Sequence, residues 1–266
     1  MRCSISRSTA SGAGNSAAVF ARLIGLVAAV LLVAACAAYP PDPQPRVLLF
    51  SHSTGFRHAS IEPGIAAIEA LGRREGMTVV ASEDPVIFSA EGLSGFDAII
   101  LLSTTTDPKD PASEFLAGAR GDALQGFVRG GGGIVAIHAA ADSHHRWPWY
   151  GKMIGGRFER HPAGTPKGRL TAVDRGHPST AGLPTSIERV DEWYYFADYN
   201  PEAKLLITLD PASIGEADVN PNPISWAHEF EGGRVFYTAM GHTDESYADP
   251  YVLDHVAGAL RWAIGR

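Results

Sequence analysis

Three short apolar runs, Val47-Leu48-Leu49-Phe50, Ala98-Ile99-Ile100-Leu101-Leu102 and Ile134-Val135-Ala136-Ile137, constrain this chain most. Each is too short for a helix and presents no polar residue on either alternating face, the pattern of a strand buried on both sides. Helical stretches separate them. Ser60 can cap one, Glu62 suits the positive end of its dipole, Pro63 is tolerated in its first turn, and Ile65, Ile68 and Leu71 recur at helical spacing. Met77 to Ala81 reads as the next strand and Ser113 to Arg129 as a second helix. This alternation predicts an α/β fold with a mainly parallel sheet and helices on both faces. The glycines from Gly130 to Gly133 precede a strand, and no Lys-Ser or Lys-Thr follows them as a phosphate-binding loop requires, so they read as a helix stop.

From Trp147 to Pro201 the pattern turns irregular and aromatic and predicts a long insertion that shapes a pocket. Strands return at Lys204 to Leu209, Ile224 to His228 and Arg234 to Ala239, with Glu231-Gly232-Gly233 as a hairpin turn, and Tyr251 to Ile264 closes the chain as an amphipathic helix. Residues 46–266 are thus expected to form one domain.

Residues 1–35 carry three arginines, no acidic residue and an apolar run from Leu23 to Val33, the order of a signal peptide, and the run falls short of the ~20 residues that span a bilayer. Val33-Ala34-Ala35-Cys36 resembles the bacterial lipobox, which implies a diacylglycerol on Cys36. The long polar stretch before Arg22 also fits a translation start further along. Residues 36–45, with prolines at 40, 41, 43 and 45, would be a semi-rigid spacer. The expectation is an extracytoplasmic protein lipid-anchored to a bacterial membrane, on the periplasmic side, touching the membrane through that lipid alone. Without the leader's three arginines, 19 basic residues face 29 acidic ones, a formal charge of −10 that disfavours nucleic acid as a partner. No oligomeric state is implied. Cys3 leaves with the leader and Cys36 is taken by lipid, so no thiol remains for chemistry.

Parallel sheets bind ligands beyond the carboxyl ends of their strands. His52, His138 and His242 each follow a predicted strand there, and imidazole serves as acid, base or metal ligand near neutral pH. Arg57 and His58 are placed at the same mouth, whereas His144, His145 and His177 read equally as solvated loop residues. Glu192 and Asp142 can supply carboxylates, although Asp191-Glu192 also fits a solvated strand edge or an ion pair with Arg189. Trp147, Trp149 and Trp193 are candidate platforms for a sugar ring, and about half of the aromatic residues of this region are expected in the core. No compact zinc motif occurs, so a divalent metal, for which no cofactor is otherwise established, would need ligands from distant positions. No Gly-x-Ser-x-Gly elbow is present.

Several segments together resemble the ThuA-like family, named for trehalose utilisation and similar in fold to the flavodoxin-like class I glutamine amidotransferases. They are Ser53-Thr54-Gly55-Phe56-Arg57-His58-Ala59-Ser60-Ile61, Val135-Ala136-Ile137-His138-Ala139-Ala140-Ala141-Asp142, Gly155-Gly156-Arg157-Phe158 with His161-Pro162, Asp191-Glu192-Trp193-Tyr194, and Gly233-Arg234-Val235-Phe236-Tyr237-Thr238 with Gly241-His242. The amidotransferases carry a nucleophilic cysteine after the strand matching Gly133 to Ile137. This chain has His138-Ala139-Ala140 there, which excludes thiolate chemistry. The resemblance implies a sugar ligand, with hydrolysis or elimination at the glycosidic bond of a disaccharide or its keto derivative as the expected reaction, His138, His52 and His242 around the reacting group, and Glu192 assisting. A non-catalytic carbohydrate-binding lipoprotein and a metal-dependent hydrolase are the alternatives.

Overall fold

The computed structural model describes residues 44–217 and 220–265. The expected leader, Cys36 and the spacer up to Pro43 lie outside them. β1 (Arg46–Phe50), β3 (Ala98–Leu102) and β4 (Gly133–Ile137) form where the apolar runs predict, and every residue of β3 and β4 is buried. β2 (Thr78–Ser82) lies one residue beyond its expected place. The crossovers hold α1 (Ile61–Glu75), the short α2 (Ala90–Leu93) and α3 (Ala119–Arg129). Helix α3 starts six residues later than expected because Pro111–Ser113 forms a 3-10 turn, Phe115 and Leu116 are buried in the core, and Gly118 caps the helix at φ 62. Helix α1 keeps Glu62 in its first turn and ends on Gly76 in the left-handed region. Ser60 occupies its N-cap position without capping it, since its hydroxyl donates instead to the carbonyl of Gly241, 2.9 Å away.

Between residues 148 and 197 the expected irregular insertion is ordered as α4 (Pro148–Ile154), β5 (Arg157–Arg160), β6 (Lys167–Ala172), β7 (Ser186–Val190) and β8 (Tyr195–Ala197). The chain ends with β9 (Lys204–Asp210), β10 (Asn222–Phe230), β11 (Gly233–Thr238) and α5 (Pro250–Ile264). Nine strands form one sheet in the order β2-β1-β3-β4-β11-β10-β9-β6-β7, and β5 pairs with β8 apart from it.

The sheet is mixed rather than mainly parallel. Strands β2, β1, β3, β4 and β11 run parallel, and β10, β9, β6 and β7 continue antiparallel. For β10 and β11 connection length decides this, because a parallel pair needs a crossover of about a dozen residues or more. β10 and β11 are joined by Glu231 and Gly232 alone, at φ 49 and φ 103, the paired positive values of a tight hairpin whose twist matches its strands. Helix α1 packs with α5 and α2 with α3, and α5 covers β4 and β11. No helix among the described residues is long and apolar enough to cross a membrane.

The core encloses a histidine that makes stability depend on pH. His255 on α5 is fully buried, with Nδ1 2.8 Å from the carbonyl of Ser179 and Nε2 2.8 Å from Ser225 Oγ. Burial lowers its pKa from 6.5 to about 4, the Ser179 hydrogen bond only partly opposing this. Above pH 6.5 the ring is neutral in both folded and unfolded chains. As pH falls through 6.5 the unfolded chain gains a proton that the folded one refuses until about pH 4, so stability drops across that window, by roughly 2–3 kcal/mol at pH 4.5 from this group. Urea unfolding at pH 7 and 4.5 checks this. The loss is expected to shrink in His255→Gln, and an equal loss in that variant would contradict the assignment.

Candidate functional site

Strands β4 and β11 are parallel neighbours, so the residues that follow them emerge side by side at the carboxyl edge of the sheet. His138 follows β4 directly at φ 51, a value non-glycine residues rarely adopt, which turns the chain sharply into a 3-10 turn over His138–Ala141. Its ring is fully buried and fixed. Nδ1 lies 2.8 Å from the carbonyl of Ala239 and donates to it, which turns Nε2 toward His242 and Glu192. His242 follows β11 through Gly241, where φ is 121 and an added Cβ would sit 2.7 Å from the Tyr247 hydroxyl, so only glycine fits.

Asp191 binds this edge to the segment after β7. Its fully buried carboxylate accepts from the backbone N–H of Glu192 and His242 on Oδ1, and from Gly241 N and Ser246 Oγ on Oδ2, all at 3.0 Å. Arg189 stands 3.5 Å away. Side chains alternate along an extended segment, so with Asp191 turned inward Glu192 faces the histidines. Asp191 and Glu192 are thus buried rather than at a solvated strand edge, with Asp191 beside Arg189 and Glu192 facing the histidines.

Four side chains converge here. His58, His138, Glu192 and His242 each bring one nitrogen or carboxylate oxygen into a group whose atoms all lie within 4.8 Å of one another. His138 Nε2 is 3.2 Å from His242 Nδ1 and 3.5 Å from Glu192 Oε2, and His242 Nδ1 is 3.2 Å from the same oxygen. The His58 ring stands edge-on to those of His138 and His242, and its buried Nδ1 has no hydrogen-bond partner. Burial lowers the His58 pKa to about 3, with the charges of His138 and His242 acting the same way, so the ring stays neutral. Burial opposes the charge of Glu192, but hydrogen bonds from His138 and His242 outweigh it and hold the carboxyl below the usual range. The Glu192 hydrogen bond in turn raises the pKa of His242.

His161 Nδ1 lies 3.2 Å from Glu192 Oε1 and 2.7 Å from the carbonyl of Pro162. Its ring stacks on Tyr194, which also packs 4.4 Å from His138 between ring centres. Both His161 and Tyr194 fall in the segments of family resemblance, and Tyr194 also reads from sequence as one of the aromatic residues that can face a sugar, whereas His161 does not stand out. Asp142 lies 3.6 Å from His145 Nε2, and burial pushes its carboxyl up, nearby histidine charges only partly offsetting this.

Other expected site residues stand outside the donor cluster. His52 is outside the four-residue group and packs edge-on against Phe115. Arg57 forms ion pairs with Glu62 at 2.6 Å and Glu83 at 2.8 Å. Trp193 is fully buried, donates from Nε1 to the carbonyl of Pro166 and rests on Gly168, so it offers no face to a ligand. Trp147 is the last loop residue before α4 and Trp149 lies in that helix's first turn; the two rings stack, and Trp149 Nε1 donates to Glu231, at the opposite end of β11 from His242. His144 and His177 are buried rather than solvated, each bonded to a neighbouring serine hydroxyl.

An α/β sheet with three histidines and a glutamate gathered at its carboxyl edge defines a protein with a donor cluster at the usual ligand position of its fold. The family model described as ThuA, trehalose utilisation, matches residues 46–263, and the chain belongs to that family. Among solved structures it is similar to a protein described as ThuA-like from Bacteroides uniformis, with 26% identity over 85% of this chain and 93% of that one and a TM-score of 0.68. A second protein so described, from Parabacteroides merdae, shares the fold at 16% identity over 84% and 90%, with a TM-score of 0.67. A β-galactosidase from Rahnella sp. R3 shares the fold at 16% identity and a TM-score of 0.56, the match covering 84% of this chain and 32% of that one. No match was found among curated proteins.

Proposed function

We propose that the protein acts on a sugar or sugar derivative at the centre formed by His58, His138, Glu192 and His242, and that these four residues hold a divalent transition metal. The convergence of the four donor atoms within 4.8 Å carries this reading. Zinc bonds of ~2.0–2.1 Å in a tetrahedron place ligand atoms about 3.3 Å apart. The three separations among His138, Glu192 and His242, 3.2, 3.2 and 3.5 Å, bracket that value, and the His58 nitrogen lies within 4.8 Å of those atoms. The neutral His58 imidazole, with its unpartnered Nδ1, and the oriented Nε2 of His138 are the kind of donors such an ion takes.

Membership of a trehalose-utilisation family supports a disaccharide or its keto derivative as substrate, with hydrolysis or elimination at the glycosidic bond as the reaction. A bound metal would supply Lewis acidity toward a sugar oxygen. A keto group acidifies the adjacent C–H, so one positioned base starts elimination. His161 and the Asp142–His145 pair border the centre and are the groups placed to move protons there. The leader and the lipobox-like segment support the export and Cys36 anchoring that complete this reading.

A metal-free acid–base centre is the second reading, favoured by the fact that the same separations are hydrogen-bond distances. Turnover of native and 3-keto disaccharides by the purified protein tests the enzymatic claim. His138→Ala is expected to reduce it at least 1000-fold while the protein stays folded. Sugar binding without detectable turnover in the unaltered protein would leave a carbohydrate-binding protein instead.

A further inference from the structure

Among the described residues, the large apolar side chains most open to solvent are Phe56, Val86, Val173 and Val190, and Phe56, 66% exposed, is the single aromatic ring in that set. Its position is specific. The ring stands edge-on to His58, 4.9 Å between centres and 87° between planes, and His58 is in turn edge-on to His138 and His242. An open apolar face therefore begins one ring away from the donor cluster.

The loop that presents Phe56 is pinned. The N–H groups of Thr54 and Gly55 donate to the carbonyl of Thr105 at 2.9 and 3.1 Å, Thr54 Oγ1 donates to the carbonyl of Ser113 at 2.7 Å, and Ser53 Oγ donates to that of Phe56 at 3.1 Å. Gly55 lies so close to the neighbouring chain that a Cβ would sit 2.8 Å from the Thr106 carbonyl carbon. A benzyl side chain gains stability by leaving water. Here the backbone holds it in water at the mouth of a site, where a ring fixed in advance loses little freedom on binding.

Beside it, the Arg57 guanidinium lies 2.6 Å from Glu62 and 2.8 Å from Glu83, and all three side chains are partly open to solvent. An open apolar ring, with charged donors and acceptors reached from the next residue of the same loop, suits a pyranose, which has an apolar C–H face and a belt of hydroxyls. The tryptophans Trp147, Trp149 and Trp193 are not available for that role, being packed against the protein elsewhere.

The geometry points to Phe56 as the stacking platform of a sugar subsite beside the His58, His138, Glu192 and His242 centre, with Arg57, Glu62 and Glu83 meeting the hydroxyls. This rests on the sugar-acting reading of that centre. Calorimetric titration of the purified protein with trehalose, lactose and their 3-keto derivatives tests it, with Phe56→Ala, Phe56→Trp and the metal content of each protein measured in parallel. For any sugar the unaltered protein binds, Phe56→Ala is expected to weaken binding at least tenfold and Phe56→Trp to stay within about threefold of the original. Metal content and melting temperature should not change. Equal affinity in Phe56→Ala overturns the platform while leaving the sugar reading intact. Failure of the unaltered protein to bind any of the four sugars overturns both.

Discussion

Asp191→Ala is expected to lose at least about 4 kcal/mol of stability, because it combines a broken buried ion pair with several orphaned donors. Its carboxylate serves the backbone N–H of Glu192, Gly241 and His242 and the hydroxyl of Ser246, next to the buried Arg189. Arg189 would be left with the more distant Asp249 at 3.7 Å, and its Nε and Nη1 already make no hydrogen bond. Asp191→Asn keeps one acceptor oxygen and opposes a second donor to the others, so an intermediate loss of about 2 kcal/mol follows. Urea unfolding at pH 7 measures both. An alanine variant with an unchanged midpoint would mean that the bracket between the segments after β7 and β11 does not hold the edge together. The consequence reaches the site, since this one carboxylate sets the backbone of both Glu192 and His242.

Glu192→Ala is expected to weaken zinc binding by well over 100-fold, beyond the 10–100-fold loss usual for groups that only orient a ligand. Glu192 is the sole negatively charged member of the four-residue group, and one of its oxygens lies within 3.5 Å of both His138 Nε2 and His242 Nδ1. His52→Ala, by contrast, is expected to leave zinc affinity unchanged, because that ring packs against Phe115 outside the group. Competition titration against a chromophoric chelator separates the two. Equal losses in both variants would move the centre away from Glu192.

Much of the parallel half of the sheet is legible in the sequence because its strands are unbroken apolar runs. The antiparallel half is less so. Strand β6 buries only alternate residues, and these are Gly168, Leu170 and Ala172, a weak signal shaped by Trp193, which lies against Gly168 and leaves no room for a side chain there. At the site, His138 and His242 can be read from their place after strands. His52 and His58 cannot be told apart that way. The chain doubles back after β1 through hydrogen bonds of Thr54 and Gly55 to Thr105, a residue fifty positions away, and that return brings His58 rather than His52 over the sheet edge. The aromatic residues mislead for a related reason. Trp193 looks like a ligand platform in sequence, yet it is fully buried, while the open ring at the mouth is Phe56. Composition marks which residues can stack on a sugar, and only tertiary packing decides which are left uncovered.

The central claim is that His58, His138, Glu192 and His242 form one metal centre. Elemental analysis of the purified protein, after dialysis against metal-free buffer and reloading with one equivalent of zinc, tests it most directly. About one bound ion per chain is predicted, falling below a tenth in both His138→Ala and Glu192→Ala. Less than a tenth of an equivalent in the unaltered protein, or full retention in both variants, would contradict it.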